Sequence, residues 1–394
     1  MTIVISDLRR DSVSGGIETS VAVKIDGAQR RLTVRHEGNH PDLGLGTPTY
    51  DPFLLFLLIP AMARNMPIVV EGDIEAMRLA AMRTGLQSLL QSASDEWQMV
   101  GISADARISQ RLPDLSKGSA LGMSCGIDSL FAFQDLNGPE TAPHMRVKLL
   151  LHNDIGAHPD RQSFARHTAH IQRFADEMAL PLVTISADVM SLYGNRFIHS
   201  HTIRNAAAAM TLEDLFCNFH YAKGDTGGLS AKLGRGSGIG PMDPVLLPLL
   251  NTSANSYMSH CLHLGRLQKT AAVMHSDLAR RYLTVCTHGF SDGRDKMNCG
   301  RCYKCARALF YADTEGMLND YSALFDIDAF KSERTHLLLR MLRGSIGDRR
   351  SREERDALAY LLAADYPLPV WLRLFRPFVG RTTMRPNIPR ITAT

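Results

Sequence analysis

Charge of one sign is scarce in this sequence. Lys and Arg total 44 against 40 Asp and Glu over 394 residues, a formal net charge of +4. A nucleic-acid binder needs a concentrated cationic face, so nucleic acid is the less expected partner. Cysteine is scarce too. Seven residues, few and odd in number, exclude a secreted disulfide scaffold of this length. Long apolar runs are missing. The longest, residues 53–63, is interrupted by Pro60. It falls short of the ~20 apolar residues that span a bilayer, so it is read as a buried helix and no membrane partner is expected. The N-terminus carries acids and Gly15-Gly16, with no apolar core behind a basic start, unlike an export signal. Free thiols then fit a reducing, cytoplasmic setting. What is there is ordinary globular composition, 45% hydrophobic and 21% charged. At roughly 100–200 residues per domain, the length suits two or three domains.

Residues 1–110 read as a small N-terminal α+β domain. Segments 20–26 and 31–35 alternate larger apolar residues with small or polar ones, and Asp26-Gly27 between them suits a turn, so a hairpin is expected. Helices are expected over 51–64 and 73–91, with a short strand at 66–70. The second helix carries Leu79, Met82, Leu86 and Leu90 at steps of three and four, a 3.6-residue period. From 117 to 320 the pattern changes. Apolar runs at 120–123, 147–151 and 182–185 alternate with helical stretches at 129–136 and 160–178. That is the signature of an α/β domain with a parallel sheet. Further helices are expected over 200–218, 252–264 and 268–280. Residues 321–394 read as a basic helical extension. From residue 331 onward, thirteen Lys or Arg face six Asp or Glu, densest at Arg349, Arg350, Arg352 and Arg355. Such a patch is either a solvated helix face or a contact for an anionic partner. The final fifteen residues read as a loose tail.

The strongest motif is Ser124-Cys125-Gly126-Ile127-Asp128-Ser129, placed after a predicted strand and before a predicted helix. A helix N-terminus offers exposed N–H groups and a favourable dipole to an anion. Small residues let the backbone approach phosphate, and Ser124 and Ser129 add hydroxyls. Asp128 would repel phosphate, so its expected work is Mg²⁺ coordination or structuring of the loop. The segment resembles the Ser-Gly-Gly-X-Asp-Ser loop of the PP-loop ATP pyrophosphatases, the adenine nucleotide alpha hydrolases. Cys125 stands where that family usually has glycine. The resemblance implies a Rossmann-like HUP-type fold, ATP as substrate, and cleavage to AMP and pyrophosphate while a second substrate is adenylated.

Other segments extend the resemblance. His152-Asn153-Asp154 ends a predicted strand, where this superfamily holds adenine. Ile198 to Ala209 contains Arg204-Asn205 before a run of alanines, and looks like a segment of 7-cyano-7-deazaguanine synthase and its relatives. Arg204 sits near a helix start, a poor place for a cation, so an anion such as ATP phosphate is its expected partner. His199 and His201 are acid–base candidates or structural histidines. Arg266 and Lys269 are three apart, hence on one helical face; related enzymes place a lysine similarly, where positive charge stabilises the transferring phosphate. The glycine-rich run 224–240, with Asp225, Lys232 and Arg235, is either a loop that orders over substrate or a plain connection.

Cys299-Gly300-Arg301-Cys302-Tyr303-Lys304-Cys305 holds two overlapping Cys-X-X-Cys steps, with Cys286 thirteen residues before Cys299. Four thiolates at this spacing wrap a tetrahedral Zn²⁺, Gly300 permits the tight turn, and Arg301, Lys304 and Arg307 offset the thiolate charge. An iron–sulfur cluster or a redox pair uses related spacing. A distant cysteine followed by Cys-Gly-X-Cys-X-X-Cys is also found as a structural zinc site in the deazaguanine synthase branch. Cys217 and Cys261 are expected in helices, as core residues.

Loop and knuckle together resemble that branch over about residues 117–315. The expected function is therefore an AMP-forming carbon–nitrogen ligase. A small carboxylate attacks the α-phosphate of Mg·ATP, and a nitrogen nucleophile such as ammonia then displaces AMP, giving an amide or nitrile. Expected catalytic residues are Asp128, Arg204 and Lys269. Ser124 to Ser129, Arg204 and Arg266 would bind nucleotide, and Cys286, Cys299, Cys302 and Cys305 would bind zinc. A homodimer is among the assemblies expected. The alternatives are a tRNA-modifying ATP pyrophosphatase and a non-catalytic nucleotide sensor.

Overall fold

The computed structural model describes residues 1–108, 111–156, 158, 160–193, 199–222, 238–260, 264–286, 295–346 and 352–369. Most of the glycine-rich run 224–240, Cys261, Arg349, Arg350 and the last fifteen residues lie outside them. The chain divides into two compact units. One comprises Met1–Met123, Ala132–Pro159 and Gln172–His263; the other comprises Ser124–Phe131, Asp160–Ile171 and Leu264–Thr394.

The first unit opens with three antiparallel strands, β1 (Ile3–Val13), β2 (Gly16–Ile25) and β3 (Ala28–Gly38). Asp26 and Gly27 both take positive φ, 50° and 85°. Two successive left-handed residues match the twist of the flanking strands, so Ile25 pairs with Ala28 and the expected hairpin forms. In helix α1 (Asp51–Arg64) every residue from Asp51 to Met62 is buried, as a run apolar on all sides demands. Pro60 lies inside it and has no N–H for the Phe56 carbonyl one turn back. The Tyr193 hydroxyl donates to that carbonyl instead, at 2.5 Å.

Strand β4 (Ile68–Glu75) pairs parallel to β1 and to β5 (Ile102–Arg107). Between them lie α2 (Ala76–Arg83) and α3 (Gly85–Ala93). The helix expected over 73–91 thus starts later, because the strand runs on to Glu75. The Glu75 carboxylate accepts from the Arg78 amide at 3.0 Å and caps α2. Thr84, at φ −129° and ψ −90°, breaks the helix in two. Leu79, Met82, Leu86 and Leu90 are all buried, as their spacing predicts.

The chain then alternates β6 (Ser119–Gly122), α4 (Ile127–Leu136), β7 (Val147–Asp154), α5 (Arg161–Glu177), β8 (Leu182–Ala187), α6 (Met190–Tyr193), α7 (His201–Met210), β9 (Asn218–Ala222), α8 (Asp243–Leu246) and β10 (Ser256–His260). The ten strands among the described residues form one sheet, in the order β10-β9-β6-β7-β8-β3-β2-β1-β4-β5. Pairing is parallel from β10 to β8 and antiparallel where β8 meets β3. Residues 1–110 therefore share their sheet with strands that follow residue 117. The expected α/β class with a mostly parallel sheet holds. Strand β7 is buried along nearly its whole length, as a central parallel strand must be, while α1 packs against α7.

Two expected helices are corrected. The one over 252–264 is replaced by β10. Ser256 to His260 pairs in register with Asn218 to Ala222, and the Asn251 side chain accepts from the Tyr257 amide at 2.7 Å. Sheet pairing and burial of Tyr257 override the local pattern. The one over 200–218 ends at Met210, and β9 begins at Asn218. Cys217 lies in no helix; it is buried just before β9, with its thiol donating to the Gly118 carbonyl at 3.0 Å.

The second unit contains α9 (Arg266–Met274), α10 (Asp277–Tyr282), α11 (Tyr303–Thr314), α12 (Ile327–Ile346) and α13 (Arg352–Ala363). The helix expected over 268–280 is divided at Ser276, whose hydroxyl accepts from Ala279 N at 3.2 Å and starts α10. Helices α11, α12 and α13 pack together. Among the described residues, no helix is long and apolar enough to cross a membrane.

Candidate functional site

The loop between β6 and α4 is tied around one side chain. The Ser129 hydroxyl accepts from Ser124 N at 3.3 Å and from Gly126 N at 3.1 Å. It also lies 3.2 Å from Ser124 Oγ and donates to the Gly126 carbonyl at 3.2 Å. A serine five residues from the loop's start therefore closes it into a compact turn. Two further groups hold the loop's carbonyls. The His167 ring, on α5, donates from Nε2 to Ser124 O at 2.9 Å. Thr284 N donates to Cys125 O at 2.8 Å.

Cys125 adopts φ +51°, a left-handed conformation that glycine takes without strain. Its side chain is wholly buried, and burial pushes the thiol far above its usual range.

Asp128, in the first turn of α4, meets both cations of the predicted pair. Arg266 donates from Nη1 to its Oδ2, and the Lys269 ammonium lies 3.5 Å from its Oδ1. Arg266 and Lys269 reach one carboxylate because they stand three apart on α9. The helix is started by Gly265, whose amide donates to Gln268 Oε1 at 2.8 Å. The Lys269 side chain is 1% exposed and that of Asp128 16%. An ammonium so buried requires a counter-charge. Burial and the nearby Arg307 lower Arg266 to about 10, with Glu353 opposing them. Arg266, Lys304 and Arg307 line a cavity of about 30 Å³ with Ile127 and Glu353. Burial, Arg266 and Arg307 likewise lower Lys304. The loop thus sits in a strongly cationic corner, with one acid from α4 and one from α13.

The cysteine cluster belongs to the same unit. The sulfurs of Cys286, Cys299, Cys302 and Cys305 lie within 4.8 Å of one another, so the four predicted ligands are placed to hold one metal ion. Cys302 N donates to Cys299 Sγ at 3.3 Å, and Cys305 N to Cys302 Sγ at 3.4 Å. Amide donors of this kind stabilise thiolate ligands. The Cys302 sulfur also caps α11. Gly300, at φ +70°, is required twice over: a Cβ there would lie 2.1 Å from the Asp326 carbonyl. Arg301 reaches Glu333 at 3.8 Å, whereas Lys304 and Arg307 turn to the cavity described above.

Two positioning residues escape a reading of spacing alone. Asn298 is fully buried; its Oδ1 accepts from Val285 N at 2.7 Å and Cys286 N at 3.1 Å, and its Nδ2 donates to Leu283 O at 2.8 Å. It brings the Cys286 stretch alongside Cys299. His167 is the other. The only sequence signal for Asn298 is a polar residue immediately before the first close cysteine; for His167 there is none.

Arg204 belongs to the first unit. It is fully buried, donates to Ser200 Oγ at 3.1 Å and to the Ile155 carbonyl, and lies 5.4 Å from the centre of the Tyr193 ring. His152, also in that unit, bonds the Met123 carbonyl at 3.2 Å, and Asn153 bonds Asn205 at 3.0 Å. His201 meets the Tyr221 hydroxyl at 2.9 Å, and His199 packs edge-on against Trp97. Loop, Arg266, Lys269 and cysteines are brought into one unit; Arg204 is placed in the other. Protein-family models, curated proteins and solved structures show no significant match to the chain.

Proposed function

We propose that the chain is an ATP-using enzyme of the PP-loop kind, an AMP-forming ligase that activates a carboxylate. The observation that carries this reading is the convergence of Arg266 and Lys269 on Asp128 beside the Ser124–Ser129 loop. The strand order supports it. Strands β8-β7-β6-β9-β10 repeat the 3-2-1-4-5 order of a Rossmann-like sheet, and the loop leaves β6, where that order reverses.

In the reaction, a substrate carboxylate oxygen bonds to the α-phosphorus of ATP as the bond to the bridging oxygen of pyrophosphate breaks. A nitrogen nucleophile then attacks the acyl carbon, and AMP leaves with the electron pair of the acyl–oxygen bond. The charge that grows on the departing pyrophosphate is what Arg266 and Lys269 would hold once Asp128 yields them. Ser124 and Gly126 would turn their donors from Ser129 to phosphate oxygens. For Mg²⁺ the fit is poor: Asp128 is the loop's one carboxylate, and both its oxygens already face cations. No step is assigned to that ion. For zinc the fit is good. Four buried or half-buried sulfurs with amide donors suit a closed tetrahedral site. Zinc there would fix α11, and with it Lys304 and Arg307.

The neutralised Asp128 also favours a second reading, a nucleotide sensor without turnover. Pyrophosphate release, assayed with ATP, ammonia and a panel of carboxylic acids, separates the two. Release with one acid supports the ligase. ATP binding without release on any acid supports the sensor, and no ATP binding refutes both.

A further inference from the structure

The first unit contains a cleft of about 340 Å³, within the size range of small-molecule sites, roughly 300–1,000 Å³. Four arginines line it: Arg10, Arg78, Arg107 and Arg111. Three of them have carboxylates. Arg78 pairs with Asp51 at 3.5 Å and with Glu213, Arg107 with Asp51 at 3.5 Å, and Arg111 with Asp214. Arg10 differs. Its Nε donates to Thr19 Oγ1 at 3.1 Å, Nη1 to the Gly46 carbonyl, and Nη2 to the Thr211 carbonyl at 3.5 Å. All three acceptors are neutral, and no carboxylate among the described residues lies within ion-pair distance of it. A guanidinium has five N–H donors, so two remain for another acceptor.

Arg10 reaches the cleft because β1 is bulged. Ser6 pairs with Ala22 but Arg9 with Ser20, so Asp7 and Leu8 together face one residue of β2. Asp7 takes φ +50°. Ahead of the bulge, buried Ile3 and Ile5 mark the inward face. Plain alternation would turn Asp7 and Arg9 inward. The extra residue reverses this: Asp7 and Arg9 are exposed, while Leu8 and Arg10 are partly buried. Bulges that re-aim a side chain recur beside binding sites. The charge is felt inside, since Arg10 adds to burial in holding His36 down to about 3. Burial lowers Arg10, and Asp214, already bonded to Arg111, opposes that from beyond ion-pair distance; a half-buried cation whose hydrogen-bond partners are neutral and whose donors are not all used is stabilised most by a charged acceptor.

We propose that this cleft binds a small oxyanion-bearing molecule, a carboxylate or a phosphate, on the free N–H groups of Arg10 with the hydroxyl-rich wall around Thr19. The residues are distinct from those of the loop, so the site stands whether or not the chain uses ATP. Calorimetric titration of the full chain with succinate and with inorganic phosphate tests it, with ATP titrated in parallel. One of the two probes should bind one to one, and Arg10→Gln should weaken it at least tenfold while leaving ATP binding unchanged. Arg10→Lys keeps the charge but loses the planar fork, and should weaken the probe less. If Arg10→Gln does not fold, a Lys variant of native melting temperature that binds weaker than wild type carries the proposal. Binding of neither probe at millimolar concentration overturns it, as does equal affinity in a folded Arg10 variant.

Discussion

The Tyr193 hydroxyl donates to the Phe56 carbonyl at 2.5 Å, the carbonyl that Pro60 leaves without its helical donor. A proline in an otherwise well-packed helix is thereby accommodated by a residue far along the chain. Tyr193→Phe removes the donor from a buried acceptor and should cost about 1–3 kcal/mol. In a Pro60→Ala background the helix supplies its own N–H, and the same change should cost clearly less. Urea melts of the four proteins check this; equal costs in both backgrounds would show that the hydroxyl does not serve that carbonyl.

The Cys cluster depends on Gly300. Gly300→Ala adds a Cβ at 2.1 Å from the Asp326 carbonyl in a left-handed backbone. The variant should lose metal and at least ~2 kcal/mol of stability. Metal analysis of the wild type should return one zinc per chain, with a deficit in the variant. Full occupancy and an unchanged melting temperature in the variant would contradict the turn's role.

Cys125 should be inert in the folded protein. It is wholly buried and its thiol is pushed up by burial, whereas reactive cysteines are exposed and lowered. Iodoacetamide should label it only after denaturation. Rapid labelling of the native chain would place the thiol on the loop's outer side.

Two buried histidines set a pH dependence. His36 and His220 are 0% and 1% exposed. Burial lowers both to about 3, helped by Arg10 at His36 and by His260 at His220. An unfolded histidine takes up a proton near pH ~6.5. Between that pH and about 3 the unfolded state binds more protons, so stability falls as pH drops through this window and is untouched above it. Each residue should subtract on the order of 1–2 kcal/mol at about pH 5. Urea midpoints at neutral pH and at pH 5 test the sign. A midpoint that rises on acidification would refute it.

The legible parts of the fold were those fixed by local chemistry. Asp26-Gly27 announced its turn, residues 53–63 announced a helix with no wet face, and Cys-X-X-Cys announced a cluster. Asp128, Arg266 and Lys269 were each singled out by residue type, though 138 positions separate Asp128 from Arg266. What stayed hidden was set by distant pairing. Ser256 to His260 becomes a strand only because β9 is there to pair with it. The bulge at Asp7 and Leu8 reverses which face Arg10 takes, and no alternation pattern records that. Arg204 carried a motif for anion binding, yet its described contacts are the Ile155 carbonyl, the Ser200 hydroxyl, the Met190 sulfur and the Tyr193 ring.

The most direct test of the central claim is pyrophosphate release by Asp128→Ala beside the wild type, with circular dichroism and melting temperature as the check on folding. With a competent carboxylic acid the wild type should release pyrophosphate from ATP. The variant should melt lower, because buried Lys269 loses its counter-charge, yet keep its native circular dichroism below that melting temperature and release none, because Arg266 and Lys269 lose the carboxylate that holds them beside the loop until pyrophosphate takes them. Undiminished release by a folded Asp128→Ala protein would contradict the account.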